Sequence, residues 1–213
     1  MSDGFGKFVV LEGIDGSGTT TQVARLAARL RGGGRSTHTT REPSDGPVGT
    51  LVRQILTGRM VIPGGGAPGW ATMALLFAAD RMDHVECDIV PVLANGGVVI
   101  ADRYDASSLA YQSVSSGGEA REALEWIRVI NRYVRRPDLT IVLDVAPDAA
   151  AQRRLLRGEA AQIYDQSEVQ HALSVFYREL ARHMPDDRVI VLDGAGTVEE
   201  VHERVWDAYG RLA

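Results

Sequence analysis

The chain has 213 residues, 45% of them hydrophobic and 24% charged, a balance that fills one globular core and is tight for two domains. Its formal net charge of -5 excludes a broad nucleic-acid footprint built on bulk electrostatics. The single cysteine, Cys87, excludes a disulfide framework, and its apolar-periodic surroundings predict a core position. Nothing resembles a signal peptide, and no apolar run approaches the roughly 20 residues of a membrane span. A cytoplasmic protein without nucleic-acid or membrane partners is expected. Lys7 is the only lysine among 23 basic residues. The rest are arginines, whose planar forks suit phosphate oxygens.

Four short runs carry little polar alternation: "FVVLE" at 8–12, "VVIAD" at 98–102, "TIVLDV" at 140–145 and "VIVLDG" at 189–194. Such runs predict strands buried on both faces, as in a parallel sheet. A weaker candidate is "STHTTREP" at 36–43. Helical periodicity fills the intervals. "TTQVARLAARLRG" places Val23, Leu26, Ala27 and Leu30 on one face and closes on glycines. Long helices are also predicted over 71–97, 121–135, 148–158, 167–184 and 198–213. The Gly- and Pro-rich 56–70 and the small, polar 113–120 read as loops. Strands alternating with helices predict an α/β three-layer sandwich, a five-stranded parallel sheet with helices on both faces. One domain is expected, with a lid at approximately 150–166.

Between the first strand and its helix lies "GIDGSGTTTQ". The phosphate-binding signature G-x-x-x-x-G-K-[ST] is matched by Gly13, Gly18 and Thr20. Its glycines let backbone N–H groups approach an anion, and the helix N-terminus adds free N–H groups and partial positive charge. Gly16, Ser17 and Thr21 complete the candidate ATP-binding loop, and Thr20 suits Mg²⁺. Thr19 stands where the signature has lysine, so the charge on the β- and γ-phosphates must come from elsewhere. Asp102 ends a buried strand, at the sheet edge where ligands bind, and suits a metal contact; Arg103 beside it suits a phosphate. Read alone, the two also suit a structural ion pair.

Taken together, the segments resemble the thymidylate kinase family, from residue 8 to about residue 205. "FVVLEGIDGSGTTTQ" resembles its P-loop, "TREPSDGPVG" its Arg-Glu-Pro loop, and "LLFAADRMDHV" its acceptor-base helix. "DRYDASSLAYQ" is similar to its Asp-Arg-Tyr segment, and "PDLTIVLDVAPDAAAQR" to the strand leading to its lid. The resemblance implies a P-loop fold, a homodimer, and transfer of phosphate from ATP to dTMP with Mg²⁺. It implies that Phe77 stacks on thymine and that Arg81 donates to its O4. Ser108 and Gln112 would complete the bonds around the base, and Tyr111 would lie under the sugar. Arg41, Arg53 and Arg103 would hold the acceptor phosphate, with Glu42 in the same acceptor loop and Asp15 beside sugar and phosphate. Read singly, Phe77 and Tyr111 also suit core aromatics, and Arg53 a solvated helix.

Two departures from the family pattern stand out. The lysine is missing, and Gly16 is not the arginine that one branch carries. "QRRLLRG" instead offers Arg153, Arg154 and Arg157, resembling the branch with lid arginines. Arg153 or Arg157 is expected to stand in for the lysine, with Arg154 against adenine; spacing does not separate the three. "REPSDGP" carries Ser44 and Asp45 where the family usually has two glycines. A kinase for another nucleoside monophosphate, or a nucleotide-binding protein that Thr19 has made inactive, are the alternatives.

Overall fold

The computed structural model describes residues 6–117, 120–158 and 163–212, apart from the Arg157 side chain. Strands β1 (Lys7–Glu12), β2 (Thr37–Arg41), β3 (Val98–Asp102), β4 (Leu139–Asp144) and β5 (Val189–Asp193) form one parallel sheet in the order β2-β3-β1-β4-β5. Helix α1 (Thr19–Gly32) follows β1. α2 (Pro47–Leu56), α3 (Trp70–His84), a π-helical turn (Val85–Ile89) and α4 (Val90–Ala94) join β2 to β3. α5 (Asp105–Ser115) and α6 (Ala120–Ile130) lead to β4. α7 (Pro147–Arg157), α8 (Ser167–Arg178) and α9 (Leu180–His183) lead to β5, and α10 (Val198–Gly210) follows it.

The central strand explains its own composition. Val9 and Leu11 pack with Val23, Leu26 and Leu30 of α1 and with Val201 and Val205 of α10. Phe8 and Val10 point the other way, among Val85, Ile89 and Leu93. Successive side chains enter opposite cores, so both must be apolar. Val142 of β4 meets a further cluster with Leu109, Ile127 and Leu173 of α5, α6 and α8. The edge strand β2 is only half-buried, which is why "THTTR" reads so weakly as a strand.

Several expectations are corrected. The helix expected over 71–97 is interrupted by the π-helical turn at Val85–Ile89, just before Pro91, which has no N–H to donate into a helical ladder. Cys87 is exposed, not a core residue. Val85 and Ile89 take the buried face there, and Cys87 lies between them on the solvent side. α6 stops at Ile130, where the Asn131 amide donates to the Ile127 carbonyl in competition with the backbone. The helix expected over 167–184 divides at Glu179. The extent of α2, read only as a helix around Arg53, and α5 as a whole were not foreseen, and α5 takes in residues 113–115 of the expected loop. Residues 118–119 of that loop and 159–162 of the expected lid lie outside the described residues. Among the described residues no helix is long and apolar enough to cross a membrane.

Candidate active site

The carboxyl ends of β1 and β3 meet the start of α1. Gly18 caps α1 in the left-handed region at φ 101°, and no side chain caps that helix. Its first N–H groups are thus left without a side-chain partner, which is the ordinary condition of an anion site. Gly16, at φ 91°, packs directly under α7: a Cβ there would stand 2.4 Å from the Ala150 carbonyl oxygen. The loop therefore has no room for the arginine that the other branch carries at this position. Thr19 is buried in the first turn of α1, and Thr20 donates its hydroxyl to Asp102 Oδ2 at 2.5 Å. Asp102 Oδ1 is buried without a partner among the described residues. A hydroxyl beside an orphaned carboxylate oxygen fits Mg²⁺, which takes hard oxygen ligands and keeps several waters.

Beside this edge lies a cavity of about 260 Å³. Asp15, Glu42, Arg53, Phe77, Arg81, Arg103, Ser108, Tyr111 and Gln112, drawn from separate segments, all line it, as does Arg41. Arg81 is fully buried. Its Nη1 donates to Asn131 Oδ1 at 2.5 Å; its Nη2 reaches Glu42 Oε2 at 2.6 Å, Ser108 Oγ at 3.0 Å and the Tyr104 carbonyl at 3.2 Å. Only its Nε is left without a partner, and Gln112 Oε1 is likewise buried and unpartnered. A free donor and a free acceptor thus remain on two of the residues that line a cavity with an aromatic wall.

Arg103 adopts φ 73°, the one positive φ outside glycine among the described residues. This turn carries its guanidinium back to the P-loop, where Nη2 donates to Asp15 Oδ1 at 2.6 Å. Tyr111 donates to Asp15 Oδ2 at 2.9 Å, and Gln170 Nε2 donates to the same oxygen at 3.2 Å. Below lies Glu12, fully buried, accepting from the backbone N–H groups of Tyr104 (2.8 Å) and Ser107 (3.2 Å) and from the hydroxyls of Ser107 (2.7 Å) and Tyr177 (3.1 Å). Burial pushes the Glu12 carboxyl up to about 7, against the opposing pull of Arg103 and of these donors. Arg103 is held well above its ordinary range: burial disfavours its charge, but Tyr111, Asp15, Tyr177 and Glu12 together outweigh that.

The Arg-Glu-Pro loop has a definite shape. The Ser44 backbone N–H and hydroxyl both donate to the buried Asp80 carboxylate, at 2.7 and 2.5 Å. Asp45 bridges Arg41 at 3.0 Å and Arg53 at 3.1 Å, and hydrogen bonding and charge from Arg41 hold its carboxyl below the usual range.

The lid arginines separate. Arg153 donates to the Ser17 carbonyl at 3.2 Å and the Gly194 carbonyl at 3.4 Å, and lines a cavity of about 390 Å³ with Gly16, Ser17, Gly18, Thr21 and Leu156. Arg154 instead reaches the Asp15 carbonyl and faces Asp165 at 3.6 Å. The Arg157 side chain lies outside the described residues. Gly13 sits against the other side of the loop, 2.6 Å from the Ser17 hydroxyl by its would-be Cβ.

Residues 11–205 match the family model described as "Thymidylate kinase". The chain belongs to the thymidylate kinase family. It is 40% identical over 200 residues to a probable thymidylate kinase from Pyrococcus abyssi, covering 94% of each chain. It is 36% identical over 213 residues to a thymidylate kinase from Caulobacter vibrioides, covering 97% of this chain and 96% of the other. A solved structure of thymidylate kinase from Candida albicans shares the fold, with a TM-score of 0.80 at 21% identity over 97% of this chain and 92% of that one. The P-loop α/β class expected from the sequence is therefore the class observed.

Glu12, Ser107, Gln170 and Tyr177 were not anticipated as site residues. Glu12 had a visible signal, an acid closing a buried strand immediately before the first loop glycine. Gln170 and Tyr177 sit on α8, whose sequence reads only as an amphipathic helix. Their proximity to Asp15 and Glu12 depends on how α8 lies against α5.

Proposed function

We propose that the chain transfers the γ-phosphate of ATP to dTMP, giving ADP and dTDP. The observation that carries this reading is the cavity beside the P-loop, where the expected acceptor residues converge and Arg81 Nε and Gln112 Oε1 stand buried and unpartnered. Thymine offers an acceptor at O4 and a donor at N3, which match such a pair, while the half-buried Phe77 supplies a stacking face. Cytosine, with an amino group in place of O4, would set donor against donor.

Arg41, Arg53 and Arg103 hold the acceptor phosphate; Asp45 yields its two arginines as the phosphate enters. Asp15 and Tyr111 orient the sugar. The P-loop amides and the start of α1 cradle the donor phosphates. Arg154, anchored at the Asp15 carbonyl, lies nearer the acceptor side and is the better candidate for the charge that Thr19 lacks. Arg153, between Ser17 and Gly194, lies against the cavity suited to the donor base. This exchanges the roles expected for Arg153 and Arg154 from the resemblance to the lid-arginine branch, between which spacing did not decide. Thr20 and Asp102 would hold Mg²⁺, whose chemistry is to neutralise charge on the phosphates. The protein's own task is alignment, charge stabilisation and exclusion of water by α7 as a lid. A single-domain homodimer working in the cytoplasm is part of this reading.

The test is ADP release coupled to a reporter, with ATP, Mg²⁺ and dTMP, beside the Thr19→Lys variant. Turnover that requires dTMP in the natural chain supports the proposal. Folded protein that turns over neither with Thr19 nor with lysine there would refute it.

A further inference from the structure

The Arg81 guanidinium is one end of a chain of charges that runs away from the cavity. Glu42 Oε2 takes Arg81 Nη2 at 2.6 Å, and its other oxygen faces His84 Nδ1 at 3.3 Å. The far ring nitrogen, Nε2, lies 2.6 Å from Thr40 Oγ1 and 3.4 Å from Asp88 Oδ2. Asp88 in turn pairs with His38 at 2.8 Å. The Glu42 and His84 side chains are each only 2% exposed, whereas Asp88 and His38 are 37% exposed. The chain thus runs from a buried base-facing arginine to the solvent rim of a separate cavity of about 470 Å³, which His38, His84 and Asp88 line.

Both ring nitrogens of His84 face carboxylates. A neutral ring that donates from Nδ1 to Glu42 accepts at Nε2 from the Thr40 hydroxyl, with that lone pair 3.4 Å from Asp88 Oδ2; the imidazolium donates on both sides and leaves the Thr40 hydroxyl to Asp88. Glu42 is then a buried carboxylate shared by two cations. Removing either cation leaves the carboxylate freer to shift, and Arg81 with it.

We propose that His84, backed by Asp88, is a positioning residue for the acceptor base: it fixes Glu42, and Glu42 fixes Arg81 in the cavity. The inference rests on reading that cavity as the base site. It makes acceptor affinity proton-linked, while donor affinity is not. The groups facing His84 are Glu42 and Thr40 from the β2 side and Asp80 and Asp88 from its own helical segment, with Arg81 and His38 one step further. Burial alone would lower its pKa, but the hydrogen bond and charge of Glu42, with Asp88 and Asp80, hold it above the ordinary 6.5. The imidazolium is therefore complete below that value and is lost as pH rises through the raised one.

The test is calorimetric binding of dTMP without ATP from about pH 6 to about pH 9, with steady-state KM for both substrates over the same range. In the natural chain dTMP affinity falls as pH rises while KM for ATP stays level. His84→Gln keeps a donor for Glu42 but does not titrate, so its added pH dependence disappears. Asp88→Asn lowers the midpoint of the natural profile. His84→Ala weakens dTMP by about tenfold at about pH 6, and the deficit narrows as pH rises through the natural midpoint; should it not fold, the glutamine variant decides alone. Glu12 is shared by all these proteins and cancels in the comparison. An identical pH dependence of dTMP affinity in the natural chain and His84→Gln overturns the proposal. Folded natural chain that binds no dTMP overturns the base-site reading and this proposal with it.

Discussion

Arg103 Nη2 and Asp15 Oδ1 meet at 2.6 Å across 88 residues of sequence, joining the turn after β3 to the P-loop after β1. The contact depends on a left-handed residue: Arg103 sits at φ 73°, with its backbone N–H on the Leu11 carbonyl at 2.9 Å. Non-glycine residues in that region carry strain of about 1–3 kcal/mol. Here the turn aims a guanidinium at the P-loop, where the proposed reaction brings acceptor and donor phosphates together. Arg103→Ala should lower kcat by about 10²–10³-fold, the usual effect of removing one charge-stabilising donor. Arg103→Lys should recover little, because one ammonium does not reach Asp15, Ser107 and Tyr177 together as the fork does. Steady-state kinetics of both variants check this; near-normal kcat in Arg103→Ala would remove Arg103 from the reaction, and in Arg103→Lys would show that charge without the fork suffices.

The absent lysine gives a second expectation. Arg154→Ala should reduce kcat by about 10²-fold with little change in KM for dTMP, and Thr19→Lys should restore part of that loss in the double variant. Strict additivity of the two substitutions would show that Arg154 and position 19 do not share a task. Arg153→Ala is expected to act differently, raising KM for ATP rather than lowering kcat.

Phe77 is half-buried at the wall of the cavity proposed to take the acceptor. Its loss in Phe77→Ala should weaken dTMP by about 1–3 kcal/mol, the usual worth of stacking a base on an aromatic ring. Phe77→Leu should recover only part of it. Equilibrium dTMP binding is the measurement, and an unchanged Kd would return Phe77 to the role of a core aromatic.

Glu12 makes stability depend on pH. Its carboxyl titrates at about 7 in the fold against 4.5 for the ordinary group, with burial as the main cause. The fold therefore binds this proton more tightly than the unfolded chain does. The stabilising contribution is fully present below 4.5 and is lost as pH rises through about 7. The loss is on the order of 3 kcal/mol at most. Glu12→Gln should remove this slope, because the Ser107 and Tyr177 hydroxyls can turn to accept from its amide. Denaturant unfolding at about pH 5.5 and about pH 8.5 compares the two proteins; equal slopes with pH would place the titrating group elsewhere.

Gly16→Arg transplants the arginine of the other family branch into this loop. The substituted Cβ would stand 2.4 Å from the Ala150 carbonyl and 3.1 Å from Arg154 Cγ, at a backbone φ of 91° that disfavours any side chain. The expected outcome is displacement of α7 and loss of activity, not compensation for the missing lysine. Activity at or above that of the natural chain would mean that α7 does not rest on the loop during turnover.

The sequence by itself determined the sheet and the loop. Strands buried on both faces write unbroken apolar runs, and a phosphate loop needs glycine at set spacings, so both are local signals that one chain displays. The half-exposed β2 was faint because an edge strand is free to carry polar residues, and Cys87 was misplaced because an irregular turn falls within what reads as one helix. Tertiary structure alone decided that Arg153 lines the cavity beside the P-loop while Arg154 reaches the Asp15 carbonyl, since neighbours on a helix point about 100° apart and only the docking of α7 fixes the direction. It alone brought Glu12 under Arg103 and His84 behind Glu42. Those partnerships join groups far apart in sequence, and they exist because burial leaves each charge nowhere to go except to another charge.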